Sequence, residues 1–251
     1  MLSPERPREI IEDLAKLGAG LFVVASYGKI LSQAILDVPP RGAFNVHPSL
    51  LPLYRGATPL QAQIRDLCTT TGVTIIQMDA GMDTGDILLQ ERTPLGERET
   101  YGELEARLAE LGAQSLVRAI DLAKRNELEP IRQDELASAE AIVATLTRPL
   151  RSEDLHVDWG GSAARVDAFV RSLSPQPAAR GEIAGLACKI VAVHPIASDG
   201  KTPAGTAFRI PRGVAVACGA GAVAIDQVVP ANRSAMNGEA FAASLFAHAK
   251  G

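Results

Sequence analysis

The amino-acid sequence predicts an α/β fold, with a parallel sheet in its first half and a small β-barrel in its second. Short continuous apolar runs at 21–25 and 73–78 are typical of strands buried on both faces of a parallel sheet. Segments with apolar residues at helical spacing, as in 8–17 and 100–125, alternate with such runs. In the second half, short apolar runs bounded by Gly and Pro indicate a small barrel.

The length and composition of the chain exclude several classes of protein. The chain has 251 residues, 47% of them hydrophobic, which is enough to bury one large core or two modest ones. It contains no apolar run of the ~18 residues that a membrane-spanning helix needs, and its N-terminus has no apolar signal core. Cys68, Cys188 and Cys218 are widely spaced, so we expect neither a disulfide framework nor a metal site. The sequence therefore predicts a cytoplasmic protein without membrane contact.

Charge is divided unevenly along the chain. Residues 1–144 carry 14 basic and 21 acidic side chains, whereas residues 145–251 carry 11 and 8. The net charge of the whole chain is −4. A basic second half can indicate contact with nucleic acid, although this surplus is small.

Helical and strand patterns alternate along the first half, and most of them end at Gly or Pro. We expect helices at 8–17, 30–36, 59–67 and 100–125, and strands at 21–25, 43–47, 73–78 and 86–91. Thr100 and Glu103 form a capping-box pattern at the start of the last helix. Residues 126–155 are polar, contain Pro130 and Pro149, and are predicted to be an irregular linker.

The second half begins after this linker. Strands are expected at 183–193, 206–210, 214–218 and 222–229, and a short helix at 238–249. The predicted organisation is a catalytic domain at 1–125, a linker at 126–155 and a second domain at 156–251.

The strand at 43–47 carries the first candidate site residues. Alternation places Asn45 and His47 on one side of it, and Pro48 ends it because proline cannot donate to a sheet ladder. Open α/β sheets bind ligands at this carboxyl end of their strands. An amide beside an imidazole suits a developing oxyanion in acyl transfer. The residue types alone favour a simpler interpretation, a surface Asn and a hydrogen-bonded His at an ordinary strand end.

A second candidate lies in the acidic, glycine-containing loop at 79–85, which holds Asp83 and is followed by Asp86. Because Asp and Gly are preferred turn residues, turn chemistry alone explains both aspartates.

Together, these two stretches resemble the 10-formyltetrahydrofolate-dependent formyltransferases. The family signature Asn-x-His-x-Ser-Leu-Leu-Pro is present from Asn45 to Pro52, and the family's catalytic aspartate falls on Asp83. The separation of 38 residues between Asn45 and Asp83 is that of the family. Further matches lie at 54–59 and 72–79. By family position, Asp83 is assigned to the site and Asp86 to the turn.

The resemblance implies a Rossmann-like catalytic sheet, an OB-like second domain, and formyl transfer from 10-formyltetrahydrofolate to methionyl-tRNA. It implies that Asn45 and His47 hold the formyl oxygen, while Asp83 orients and charges His47 and helps to relay the proton. A carboxylate beside an imidazole favours the cation, so we expect a raised pKa for His47. The residues implied in the folate pocket are Ser49, Leu50, Leu51 and Pro52.

The implied partners are initiator methionyl-tRNA and 10-formyltetrahydrofolate, with no metal and no membrane, and we expect a monomer. Two other interpretations remain. A sugar-nucleotide formyltransferase shares the same Asn, His and Asp. The chain could also be an inactive remnant that binds folate or RNA without catalysis.

Two departures from the family pattern accompany the resemblance. The family begins with an earlier strand, helix and strand, so that roughly 60 residues would precede this chain. We therefore expect Met1 to be an internal methionine of a longer reading frame, or the chain to be an inactive truncation. Pro149 stands where the family pattern leads us to expect a lysine.

Overall fold

The computed structural model describes residues 10–198 and 200–247, which form two compact units. Neither unit is continuous in sequence. The first comprises the described residues up to 59, with 69–95 and 105–149; the second comprises 60–68, 96–104 and the described residues from 150 onward. The predicted division of the chain at 126–155 stays a prediction.

Most predicted helices and strands are present, with ends shifted by a few residues. The helices are α1 (Ile11–Lys16), α2 (Gln33–Leu36), α3 (Pro59–Arg65), α4 (Tyr101–Arg125), α5 (Gln133–Glu140), α6 (Ala163–Ser172) and α7 (Gly238–Phe246). The strands are β1 (Phe22–Val24), β2 (Ala43–His47), β3 (Arg55–Gly56), β4 (Thr70–Gln77), β5 (Ile87–Pro94), β6 (Leu146–Thr147), β7 (Ala179–Ile183), β8 (Leu186–Ile196), β9 (Ala207–Ile210), β10 (Gly213–Ala217), β11 (Ala222–Pro230) and β12 (Met236–Asn237).

The first unit is built on a four-stranded sheet in the order β1-β2-β4-β5. β1 and β2 are parallel, whereas β2–β4 and β4–β5 are antiparallel. The predicted α/β class is confirmed. The sheet is mixed rather than wholly parallel, which could not be predicted because an apolar run indicates a strand but not its direction. The prediction that 21–25 is buried on both faces is wrong, since β1 lies at the end of the sheet and Val23 is 48% exposed.

Helix α4 covers one face of this sheet. Phe44 of β2 and Ile75 of β4 pack against Ala119 and Ala123 of the helix, and Val46 adds to the same core. Because successive side chains of a strand point to opposite faces, the neighbours of Phe44 and Val46 on β2 face away from α4. The β2 side chains that do not pack against α4 therefore lie on the opposite face of the sheet.

The segment predicted to be an irregular linker contains regular structure. Helix α5, strand β6 and a 3-10 helix at Ser152–Leu155 lie within 126–155. Leu136 of α5 packs against Leu51, Ile76 and Ile87 of the first unit. The expectation of irregular structure is wrong for these residues, because a short helix with one partly buried apolar side chain gives no periodic apolar signal.

The second unit holds an antiparallel sheet in the order β7-β8-β11-β10-β9, with β12 paired to β11. Val166 and Val170 of α6 and Phe241 of α7 pack with Ile190 and Val214 of the sheet. The strand pattern predicted between residues 183 and 229 is confirmed, and so is a sheet domain separate from the first. Among the residues that the structure describes, no helix combines the length and hydrophobicity needed to span a membrane.

Residues 96–104 fold with this second unit. The predicted capping box forms, since the Glu103 carboxylate accepts from the Thr100 amide and the Thr100 hydroxyl from the Glu103 amide. Asp167, which is buried, accepts hydrogen bonds from both Arg98 and Arg171. A buried carboxylate with two guanidinium partners is compensated, so this cluster stabilises the segment without an unpaired charge.

Candidate active site

Asn45 and His47 lie on β2, between β1 and β4 in the sheet. Asn45 is in register with Ile76 and His47 with Thr74. The one side chain between them, Val46, packs toward α4, so Asn45 and His47 share the opposite face. β2 ends at His47, and Pro48 follows, as the sequence predicts. Both polar side chains therefore stand at the carboxyl end of this strand.

The His47 ring is buried, and both of its nitrogens face oxygen atoms. Nε2 lies 3.0 Å from the Tyr54 carbonyl oxygen, and Nδ1 lies 3.5 Å from Oδ2 of Asp83. A carbonyl oxygen can accept but not donate, so Nε2 carries the proton of the neutral ring and donates it. Nδ1 is then an unprotonated acceptor beside the Asp83 carboxylate. A base in this state can take a proton from an amine.

Burial lowers the pKa of His47, because an imidazolium loses its hydration inside the unit. The Asp83 carboxylate and the Tyr54 carbonyl raise the pKa, but their effects are smaller. The prediction of a raised pKa is therefore wrong: it considered the neighbouring carboxylate and not the burial of the ring. A His whose pKa is lowered is neutral at pH 7.

Asp83 lies in the tight loop between β4 and β5. Its φ is 54°, a backbone conformation that is uncommon for residues other than Gly. Its Oδ2 accepts a hydrogen bond of 2.8 Å from the Gly56 amide. Gly85 cannot be replaced without movement, since a Cβ there would lie 1.8 Å from the Gln77 carbonyl oxygen. The loop conformation thus directs the Asp83 carboxylate toward His47.

The residues predicted to contact folate follow β2 in a loop. Ser49 is fully buried, and its hydroxyl donates to the Leu53 carbonyl at 2.7 Å. Leu51 and Pro52 are also buried, whereas Leu50 is partly exposed. In this form, three of the four side chains support the loop from inside the unit. Their contact with folate stays a prediction.

A cavity of about 110 Å³ opens beside Asp83. Its walls include Lys29, Ile76 and Met82. The cavity is smaller than the 300–1,000 Å³ typical of sites that enclose a whole drug-sized ligand. It can therefore enclose only part of a ligand of that size.

Sequence analysis missed Gln133, which the structure brings to this site. The side chain is buried, and its amide nitrogen donates to the carbonyl oxygens of Asp83 and Gly85, both at 2.8 Å. Its amide oxygen accepts from Arg55. The available signal was weak: Leu136 follows Gln133 at a spacing that places both on one side of a short helix.

Within residues 10–198 and 200–247, no cluster of His, Cys, Asp or Glu side chains could hold a metal ion. Among the described residues, Cys68, Cys188 and Cys218 form no disulfide, and burial raises the pKa of Cys188 and Cys218.

Comparison with known families covers both halves of the chain. The family model described as Formyl transferase matches residues 2–120, and the model described as Formyl transferase, C-terminal domain, matches residues 149–245. Methionyl-tRNA formyltransferase of Anaeromyxobacter dehalogenans is 42% identical over 227 residues, which are 88% of this chain and 70% of that protein. The enzyme of the same name from Dinoroseobacter shibae is 42% identical over 223 residues, 89% of this chain and 70% of that protein.

Solved structures share the fold at lower identity. HypX from Aquifex aeolicus in complex with tetrahydrofolic acid is 16% identical, with a TM-score of 0.70 over 97% of this chain and 42% of that chain. An N-formyltransferase from Helicobacter canadensis, in complex with folinic acid and dTDP-3-aminofucose, is 17% identical. Its TM-score is 0.61 over 80% of this chain and 70% of that chain.

Proposed function

The chain belongs to the formyl transferase family, and from this premise we propose that it transfers the formyl group of 10-formyltetrahydrofolate to the amino group of methionyl-tRNA. It is a formyltransferase by family. The acceptor is supported by relatives that are 42% identical over most of the chain and are named methionyl-tRNA formyltransferase. The product is N-formylmethionyl-tRNA, which serves translation initiation.

The observation that carries the chemistry is the pairing of His47 with Asp83 at the end of β2, on the strand face that also holds Asn45. The imidazole Nδ1 and the carboxylate are 3.5 Å apart, and the side chain of His47 is only 4% exposed. A buried, neutral imidazole with an unprotonated nitrogen beside a carboxylate is suited to take a proton and then to be stabilised as a cation. We assign the catalytic roles to Asn45, His47 and Asp83.

The proposed reaction begins with the neutral amino group of the methionyl ester. Its nitrogen attacks the formyl carbon, a C–N bond forms, and the electrons of the C=O bond move onto oxygen. The Asn45 amide N–H donates to this oxyanion as the charge develops. Loss of one such donor typically lowers the rate by roughly 10²–10³.

Proton transfer completes the reaction. Nδ1 of His47 accepts a proton from the attacking nitrogen, and the Asp83 carboxylate stabilises the imidazolium. The same proton then passes to N10 of the folate as its bond to the formyl carbon breaks. The products are the formylated amine and tetrahydrofolate, and His47 returns to its neutral form. In this sequence of steps His47 is neutral at rest and charged only during turnover, unlike the charged His47 that was expected from the neighbouring carboxylate.

For the folate itself, we propose that the loop from Ser49 to Pro52 and the cavity beside Asp83 contact different parts of the molecule. Leu50 is the partly exposed member of the loop, and Met82 and Lys29 line the cavity. An apolar wall next to a cationic side chain suits a flat, partly anionic ligand such as a folate.

For the tRNA, the second unit offers a basic surface. Arg180 of β7 lies directly opposite Lys189 of β8, and Lys189 opposite Val229 of β11, so the three side chains share one face. With Arg233, and with Glu182 as one acidic neighbour, they line a groove of about 510 Å³. Like charges paired across strands are unfavourable by themselves, and a phosphate backbone would stabilise them.

We propose that one copy of the chain carries out the reaction in the cytoplasm. The proposed catalytic residues all come from the first unit of a single chain. The product serves translation initiation, which places its formation in the compartment of protein synthesis.

The proposal is tested by offering two acceptors. Formyl transfer from 10-formyltetrahydrofolate is measured to methionyl-tRNA and to a dTDP-amino sugar, with uncharged tRNA as the control. We expect formylation of methionyl-tRNA alone. Comparable transfer to the sugar nucleotide would favour a sugar-nucleotide formyltransferase. Folate binding by a well-folded sample without transfer to either acceptor would favour a protein that binds without catalysis.

A further inference from the structure

Gln133 stands at the start of α5 and is 3% exposed. A primary amide offers two N–H donors and two acceptor lone pairs, and all four are used here. Nε2 donates to the carbonyl oxygens of Asp83 and Gly85, each at 2.8 Å. Oε1 accepts from Nε and Nη2 of Arg55, at 3.0 and 2.7 Å.

The two segments that Gln133 joins, one through backbone carbonyls and one through the Arg55 side chain, are those that hold the His47–Asp83 pair. On one side is the loop of Asp83 itself. On the other is the segment around Arg55, whose neighbours contact the pair: the Tyr54 carbonyl accepts from His47, and the Gly56 amide donates to Asp83. Gln133 touches neither reacting side chain, yet it bonds to the backbone of the Asp83 loop on one side and to the side chain of Arg55 on the other.

The Asp83 loop needs such a restraint. A φ of 54° is a sparsely populated conformation for an aspartate, and surrounding contacts have to hold it. The side chain of Asp83 is used by Gly56 and faces His47, so it cannot also anchor its own backbone. The bonds from Gln133 to the carbonyls of Asp83 and Gly85 supply that anchor.

We propose that Gln133 is a positioning residue for formyl transfer, whose two N–H donors hold the Asp83–Gly85 loop so that the Asp83 carboxylate faces Nδ1 of His47. The proposal rests on the proposed function. No other side chain meets the same demands: glutamate has no donor for two carbonyls, lysine has no acceptor for Arg55, and asparagine is one methylene shorter.

Two substitutions distinguish the role of the two N–H donors of Gln133 from the role of the rest of its side chain. Gln133→Glu keeps the shape and the acceptor for Arg55 but removes both donors. Gln133→Met keeps the length and removes every polar contact. Gln114→Glu is the matched control, since Gln114 is exposed on α4 and bonds only to Glu110 among the contacts described for it.

We expect both Gln133 variants to lower kcat by roughly 10–100-fold, since small misplacements of catalytic groups have effects of this size. The KM values for folate and methionyl-tRNA should stay within about threefold, because no substrate contact is removed. Amide hydrogen exchange should accelerate in the peptide 79–87 and stay unchanged in β10. Gln114→Glu should match the parent protein.

A Gln133→Glu variant with the kcat of Gln114→Glu would overturn the proposal. So would a loss of activity accompanied by faster exchange throughout the chain, which would mean general destabilisation. Should the parent protein formylate neither acceptor, the proposed function fails, and exchange in 79–87 still decides whether Gln133 holds the loop.

Discussion

The two units each contain a histidine paired with an aspartate, and the two pairs differ in how far they are exposed to solvent. In the second unit, Nδ1 of His194 lies 2.8 Å from Oδ1 of Asp226, with side chains 50% and 42% exposed. In the first unit, His47 and Asp83 are farther apart, at 3.5 Å, but only 4% and 19% exposed. The closer pair is the more hydrated one.

Burial is what distinguishes them chemically. An exposed contact between two polar groups is screened by water and contributes little to stability, however short its distance. In the buried pair the environment lowers the pKa of His47, and a carbonyl fixes the proton on Nε2. The imidazole of His47 is thereby held in one protonation state and one tautomer, which is the requirement for a catalytic base.

The largest expected effect comes from breaking the buried pair. His47→Ala and Asp83→Ala should each lower formyl transfer by at least roughly 10², and Asn45→Ala should do the same through loss of the oxyanion donor. Folate binding should change little. Thermal unfolding is measured alongside, because His47 and Asp83 also make ground-state hydrogen bonds with Tyr54 and Gly56. Single-turnover formylation of methionyl-tRNA is the measurement. Near-normal turnover in His47→Ala would refute the assignment of the site.

An intermediate effect is expected on the basic surface of the second unit. Arg180→Ala and Lys189→Ala should weaken tRNA binding and each reduce the slope of log affinity against log salt by about 1, if each side chain contacts one phosphate. Turnover at saturating tRNA should be unchanged. Lys16→Ala, an exposed change in the first unit, is the control. Slopes equal to that of the parent would show that this surface does not bind the tRNA backbone.

The smallest effect is expected for the exposed pair. His194→Ala or Asp226→Ala should alter the free energy of unfolding by less than about 1 kcal/mol and leave formyl transfer unchanged. Chemical denaturation and the formylation assay measure the two quantities. A loss of activity comparable to that of His47→Ala would remove the distinction between the pairs.

Local patterns explain what could be predicted from the sequence. Alternation along β2 and the proline after it were sufficient to place Asn45 and His47 at one strand end, since both depend on neighbouring residues only. Asp83 required the family spacing, because an Asp-Gly loop has the same residue types whether or not it is catalytic. The strands of the second sheet followed from short apolar runs ended by Gly and Pro.

Three of the misses depend on contacts between segments that are distant in sequence. An apolar run does not state the direction of its partner, so the antiparallel pairing of β2 with β4 was not predicted. Gln133 lies 50 residues from Asp83, and a polar residue in a polar segment carries no sign of burial. The pKa of His47 was predicted in the wrong direction for the same reason. The family spacing indicates that a carboxylate is near the ring, but the sequence does not indicate that the ring is buried away from water.

The protonation state of His47 in the intact protein tests the account most directly. NMR titration of the histidine rings, assigned with His47→Gln and His194→Gln, reports both the pKa and the tautomer. We predict that His47 is neutral at pH 7 with the proton on Nε2, and that its midpoint lies below the value of about 6.5 for an unperturbed histidine. Since the unfolded chain then takes up this proton first, stability should fall as the pH drops below about 6.5. An imidazolium at pH 7, or a neutral ring with the proton on Nδ1, would contradict the account.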